Sequence, residues 1–419
     1  MQAHVELLIL GSGFGGSLLA AIIARSGRSV ALVDQTHHPR FAVGESSTPL
    51  ADATLRRIAH RFQLPQLEPL VSYGSWKQQL PQLTCGLKRG FTYFGHAPNQ
   101  MLTADDFAGR RLLVAASRSN ENSDTHWLRS DVDQFFFRQA AATGAICIED
   151  CRYSLIPGDS WILDGRTGTS EIHLTATFLV DASGNGRQLA ELLQIPAQTD
   201  VLTTHSAALY AHFANVTPNE VVLKEQRIDV SGFPYRCDDA AVHHVLSDSW
   251  MWQLPFDDGT MSAGFVFDPR RSMINANQPV SAEWNQRLAG YPFLQRQFAD
   301  ATVVRPPQGL CRTKRLQYLT TQAAGSNWAM LPFTAGFIDP LHSTGIAHTL
   351  TAIERLAALI LASDHRRPHA FALQQYSEEL LQEIRFIDAL VEGCYAALPD
   401  FRLWCLWTML YFAAVTSAE

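Results

Sequence analysis

The chain is 419 residues long and carries a formal net charge of −7 with no basic block, which argues against a nucleic-acid partner. Its length suits a large core shared by two or three subdomains, and 47% apolar residues is ordinary for a globular fold. Seven scattered cysteines, the closest being Cys147 and Cys151, form neither a disulfide framework nor a paired zinc motif, so no metal is expected.

Residues 5–10 are an apolar run that reads as a buried strand. Because the chain enters this strand at once, no signal peptide is expected and the protein is placed in a reducing cytoplasm. Gly11-Ser12-Gly13-Phe14-Gly15-Gly16 follows directly, and 17–25 reads as a helix. G-x-G-x-x-G between a strand and a helix is a dinucleotide-binding fingerprint. Gly11 allows the tight turn, Gly13 lets backbone approach a pyrophosphate, and Gly16 lets helix and strand pack closely. The helix N-terminus offers N–H donors to the phosphates. A second strand, 29–33, ends at Asp34, 18 residues after Gly16, where a carboxylate can accept hydrogen bonds from an adenosine ribose. The fingerprint alone does not choose between FAD and NAD.

Further along, Leu128 opens a helix running to about Thr143 and closed by Gly144, with a strand at 145–148. Residues 178–184 form another apolar strand ending in a glycine-bearing turn. Residues 204–216 and 243–267 have strand spacing and suggest a separate sheet. From about 352 the pattern turns helical, over 352–362 and 370–398, with Pro399 as a break. The last apolar stretch, 403–415, is too short to span a bilayer, which takes roughly 20 residues, so no membrane span is expected. It reads as a buried terminal helix; a lid over an apolar substrate and a partner-docking element are the alternatives.

Four segments carry a family resemblance. They are Pro39-Arg40-Phe41-Ala42-Val43-Gly44-Glu45-Ser46-Ser47-Thr48-Pro49, Phe178-Leu179-Val180-Asp181-Ala182-Ser183-Gly184, Trp250-Met251-Trp252-Gln253-Leu254-Pro255 and Gly336-Phe337-Ile338-Asp339-Pro340-Leu341-His342-Ser343-Thr344-Gly345. In this order, after the fingerprint, they resemble the flavin-dependent halogenases, within the wider FAD-dependent monooxygenases. The resemblance implies an α/β fold: a Rossmann-like FAD-binding domain of the glutathione-reductase/p-hydroxybenzoate-hydroxylase type, with an inserted β-sheet substrate domain and a C-terminal helical segment. The implied boundaries are 1–196 with 306–362 for the FAD domain, 197–305 for the substrate domain and 363–419 for the helical segment. Part of 56–127 is assigned to the substrate side. The implied cofactor is FAD, used as FADH2, with chloride or bromide as co-substrate. The implied FAD contacts are Gly11, Gly13, Phe14, Gly16, Asp34, Arg40, Glu45, Ser46, Arg129, Asp181, Gly336, Asp339, Gly345 and Ile346. Asp133 stands one turn after Arg129 and caps the helix or pairs locally.

In that family, reduced flavin and oxygen convert halide to hypohalous acid, which passes to a lysine in a separate substrate chamber. The resemblance gives the lysine role to Lys88, in Cys85-Gly86-Leu87-Lys88, and the halide site to Thr344 and Gly345. An ammonium can hydrogen-bond the oxidant, and a desolvated amine can form a haloamine; a solvated lysine on a strand edge is the bland alternative. Trp250, Trp252 and Pro255 would wall off the passage between flavin and substrate, or simply be core. His342 and Ser343 complete the candidate catalytic set.

Three departures stand out. Leu254 replaces the isoleucine usual before the proline. His342 occupies the place of the glutamate of tryptophan halogenases and cannot supply a fixed negative charge, which points to a self-activating phenol or pyrrole, free or carried on a carrier protein. It serves as a base or as a structural histidine. Phe333 stands where relatives place a polar FAD contact, which suits freely exchanging flavin fed by a separate reductase. A flavin monooxygenase and a flavin-linked reductase of isoprenoid-like chains are the competing readings.

Overall fold

The computed structural model describes residues 1–184, 187–271, 277–364 and 367–417. Its first sheet is built on β1 (Gln2–Leu10), β2 (Val30–Val33), β3 (Ile146–Ile148) and β4 (Ser170–Asp181). β1 lies between β4 and β2, and β3 is beyond β2, all parallel. The second half of β1 and all of β2 are buried. That is why both read as continuous apolar runs: helices cover the two faces of a parallel sheet. Trp328–Met330 extends the other edge, parallel to β4. Helix α1 (Phe14–Arg25) follows the fingerprint, and helices α2 (Arg129–Ala142) and α3 (Thr344–Leu361) pack against it. α1 starts at Phe14, earlier than expected, because the fingerprint's later glycines already take helical geometry. Gly144 closes α2 with φ +104°, a conformation that glycine alone takes readily.

The second sheet runs in the order 302–305, 207–214, 261–267, 249–255, 241–245, 90–95, 111–115. Neighbours are antiparallel except for 241–245 and 90–95. The expected strand region 243–267 is three strands, Ala241–Val245, Ser249–Pro255 and Met261–Phe267. This sheet takes strands Gly90–Gly95 and Arg111–Ala115 from the first third of the chain, and Cys311–Arg312 from beyond residue 306. A separate two-stranded ladder, Cys85–Lys88 against Asp124–Trp127, lies outside both sheets.

The terminal segment departs from the expectation of full burial. Helix Phe401–Ser417 buries Trp404, Thr408 and Tyr411, while Leu403, Leu406, Met409 and Leu410 are exposed, Leu406 by 69%. The face carrying Trp404 and Tyr411 closes over His342. Helix Leu341–Leu361 is the one described helix long and apolar enough to cross a membrane, and half of it is buried in the fold.

Candidate active site

The fingerprint glycines divide their work. Gly11 has φ +93°, and a Cβ there would lie 2.6 Å from the Ala182 carbonyl oxygen at the end of β4. A Cβ on Gly16 would overlap the Gly11 carbonyl. A Cβ on Gly13 meets nothing nearer than the Arg129 guanidinium and Asp133 carboxylate at 3.7 Å, so it would stand in open groove. That groove is a 690 Å³ cavity bounded by Gly11, Gly13, Phe14, Asp34, Arg40 and Arg129, among others.

Asp34 sits in this wall with both oxygens engaged. Oδ2 accepts from Ser12 N at 2.7 Å, Ser12 Oγ at 2.8 Å and Arg40 at 3.1 Å, and Oδ1 accepts from Thr36. Burial works to raise its pKa, but Arg40 and the Ser12 and Thr36 donors outweigh it and hold the carboxyl below its ordinary value. Arg129 grips Asp133 through two parallel bonds of 2.8 and 3.0 Å and donates to the Val43 and Gly44 carbonyls. Asp133 in turn accepts from Phe14 N at 3.2 Å, at the start of α1. Asp133 therefore both pairs and caps. Asp181, at the tip of β4, accepts from Ser183 N and Oγ and fixes the turn there.

A second cavity of 530 Å³ adjoins the groove, and Val43 and Phe333 line both. Its walls include Glu45, Ser46, His243, Trp252, Asp339, Ser343, Gly345 and Ile346. The Glu45 carboxylate is directed to His212 at 2.6 Å and to the Ser262 hydroxyl at 2.9 Å, so it braces the second sheet. Asp339 accepts from Ser206 at 2.6 Å, Tyr395 at 2.8 Å and Leu341 N at 3.1 Å; burial raises its carboxyl to about 6. Gly336 pairs with Leu319 in a short ladder beside this cavity. A Cβ on Gly345 would come within 2.8 Å of the Phe333 ring, so glycine is what lets that ring close over the turn. Thr344 lies in the same turn, against Phe333 and Phe337 in a smaller neighbouring pocket. His342 and Ser343 have φ +63° and +61°, two successive left-handed residues just before α3. Such backbone costs on the order of 1–2 kcal/mol per residue and leads into α3, whose first-turn amides have no intrahelical acceptor.

Trp250 and Trp252 lie on one face of their strand with rings 6.2 Å apart. Gly264, directly opposite Trp252, leaves room for its indole. Trp252 faces the second cavity, whereas Trp250 is 1% exposed and donates to Tyr395 at 3.1 Å. Pro255 packs its carbonyl against Gly86, in the strand that carries Lys88.

Behind His243, on its Phe91 side, lies a closed polar cluster. Lys88 has no exposed surface, donates to the Ser47 carbonyl and stands 4.1 Å over the Phe91 ring. The solvated-lysine alternative is thus ruled out by position. Burial lowers its pKa to about 8, against the opposing pull of Asp124 and Asp52. His126 and His243 are driven by burial to about 3, and His342 well below its ordinary value, so all three rings are neutral. His342 is 3.1 Å from the Tyr93 hydroxyl and 3.4 Å from Cys394 Sγ, with Tyr411 packed on it at 4.2 Å. Asp52, Asp124, His126 and Tyr395 carried no sequence motif, whereas Tyr93 stood in the apolar run that follows Lys88. Asp124 faces Lys88 only through the ladder register, and Tyr395 reaches Asp339 only through tertiary packing.

The family model described as tryptophan halogenase matches residues 119–404. The chain belongs to the flavin-dependent halogenases. It is 30% identical over 414 residues to monodechloroaminopyrrolnitrin halogenase PrnC of Pseudomonas fluorescens, covering 96% of this chain and 69% of that protein. It is 28% identical to tetracycline 7-halogenase of Kitasatospora aureofaciens, over 95% of this chain and 71% of that one. The structure of halogenase PltM with phloroglucinol and FAD superposes with a TM-score of 0.87 at 27% identity, covering 97% of this chain and 80% of that one. As a halogenase of this family the protein is an FAD enzyme that consumes halide, and its mixed α/β architecture is that of its FAD-bound relatives. The residues present fit the cofactor. Arg40 Nε and Thr349 Oγ1 in the groove, and Ser46 Oγ and Arg315 Nε in the second cavity, are buried polar atoms with no hydrogen-bond partner among the described residues.

Proposed function

We propose that this halogenase acts on an electron-rich phenol or pyrrole, free or presented on a carrier protein, and that Lys88 holds the oxidant beside it. The observation that carries the reading is a fully buried lysine over the Phe91 ring, which packs against His243 in the wall of the second cavity. The groove of Gly11, Gly13, Asp34, Arg40 and Arg129 would hold the adenosine and pyrophosphate, and the second cavity the flavin ring. When bound, reduced FAD with oxygen supplies the oxidising equivalent that turns halide into hypohalous acid. The first-turn amides at Thr344 and Gly345 would bind the halide. Trp252 and His243 would keep organic substrate from the flavin side, while Trp250 and Pro255 brace that wall rather than line it.

Lys88, an ammonium below about pH 8, donates a hydrogen bond to the oxidant and holds it for attack by the ring. His342 is neutral and bonded to Tyr93 and Cys394, so it supplies no charge to a developing cation. A substrate activated by its own hydroxyl or ring nitrogen needs none. The relatives named for a pyrrolnitrin precursor, a carrier-bound pyrrole and phloroglucinol support that class. A separate flavin reductase is proposed as the electron source. The seven cysteines, all free, suit the reducing cytoplasm proposed for it.

The test is Lys88→Ala in the FAD-loaded enzyme, with bromide, supplied FADH2 and phloroglucinol as the probe phenol. Brominated product should fall at least about 100-fold, the scale of losing a positioned proton donor, while FAD affinity is kept. Undiminished bromination would remove Lys88 from the reaction. In the wild type, turnover should fall as pH rises through about 8, because the ammonium form is lost there.

A further inference from the structure

Lys88 is not alone in its burial. Asp52, from helix Pro49–Arg61, is 7% exposed, and Asp124, directly across the ladder from Lys88, is 3% exposed. The two carboxyls are neighbours, and each shifts the other's titration. One oxygen of each, Asp52 Oδ1 and Asp124 Oδ2, finds no donor among the described residues. Two carboxylates are acceptors only, so buried neighbours of this kind are relieved by a proton between them. Ser47 ties the pair to the lysine. Its carbonyl accepts from Lys88 Nζ, its Oγ accepts from Thr125 N at 3.0 Å, and its side chain opposes the rise of the Asp52 carboxyl.

We propose that Asp52 and Asp124 share one proton and act as a singly charged positioning pair that holds Lys88 as an ammonium. This rests on the reading of Lys88 as the residue that holds the oxidant. The charge count around the lysine supports it. His126 from the same ladder, His243 from strand Ala241–Val245 and His342 from the turn before α3 all face Lys88, and all are neutral. Among the described residues, the carboxyls that favour its charged form are Asp124 and Asp52. Burial and Asp124 raise Asp52 well above its ordinary value, and burial raises Asp124 while Lys88 opposes it, so in this proposal the shared proton sits on Asp52 and the charge on Asp124, the residue across the ladder from Lys88. One cation against one anion leaves the buried cluster neutral. Two anions against one cation would leave a net charge inside the fold.

The chain has only four lysines, Lys77, Lys88, Lys224 and Lys314, so a ¹³Cε-lysine NMR titration of the FAD-loaded enzyme can follow Lys88, assigned by its absence in Lys88→Ala. In Asp124→Asn the Lys88 midpoint should fall by about 1–3 units, the effect of losing an adjacent opposite charge. In Asp52→Asn it should stay, since the amide gives the hydrogen bond that the protonated carboxyl gave. Asp124→Glu should also keep it. The falling limb of bromination should move to lower pH in Asp124→Asn and not in Asp52→Asn. An unchanged midpoint in Asp124→Asn would overturn the proposal. An equal fall in both asparagine variants would also overturn it, by showing two charges. If Asp124→Asn does not fold, Asp52→Asn decides: an unmoved midpoint supports the shared proton and a fall refutes it. Bromination retained in Lys88→Ala would instead sink the role of Lys88, whatever the midpoints show.

Discussion

Gly13 and Gly16 belong to one fingerprint but answer to different forces. Gly16 has the Gly11 carbonyl where a Cβ would go, so its constraint is internal packing. Gly13 faces an open groove, so its constraint is the ligand. Gly16→Ala should therefore destabilise the protein without FAD, by about 1–3 kcal/mol or more, as overpacking does. Gly13→Val should leave that stability nearly unchanged and abolish FAD binding. Denaturant unfolding of the cofactor-free variants, with FAD titration of each, separates the two; equal losses of stability would refute the division. These roles were legible because fingerprint and turn are local. The state of Lys88 was not. A lysine reads as exposed by default, and its burial here depends on Asp124 and Asp52 arriving from other elements. Asp34 shows the same limit: its place was evident, but Ser12, Thr36 and Arg40 already take hydrogen bonds that would otherwise await a ribose.

At the scale of elements, the parallel strands announced themselves by unbroken apolar runs. The second sheet was harder to bound, because Gly90–Gly95 pairs with Ala241–Val245 far along the chain, and such pairing leaves no periodic trace. The terminal helix was legible as a helix and misjudged in its burial. Composition alone cannot show which apolar face meets the fold. Trp404 packs at 4.9 Å from Tyr93 and Tyr411 at 4.2 Å from His342, so this helix roofs the lysine cluster. Trp404→Ala should cost about 3–5 kcal/mol by leaving a cavity in that roof. Leu406→Glu, on the exposed face, should change stability by under about 0.5 kcal/mol. Urea unfolding of the two variants checks the contrast, and similar effects would mean that the exposed face is covered in solution.

In the whole molecule the groove at the first sheet adjoins the second cavity, and His243 in that cavity's wall packs against Phe91 of the buried lysine cluster. FAD bridging groove and second cavity would tie the sheets together, so free FAD at about 100 times its Kd should add about 2.7 kcal/mol of stability. The most direct test is a single-turnover reaction of the purified protein: anaerobically reduced FAD, then oxygen, with phloroglucinol, with and without bromide, read by mass spectrometry. The account predicts a brominated phenol carrying the two-isotope signature of bromine, formed only when bromide is present and absent in Lys88→Ala. A hydroxylated product that forms equally without bromide would contradict it and make this chain a monooxygenase on a halogenase fold.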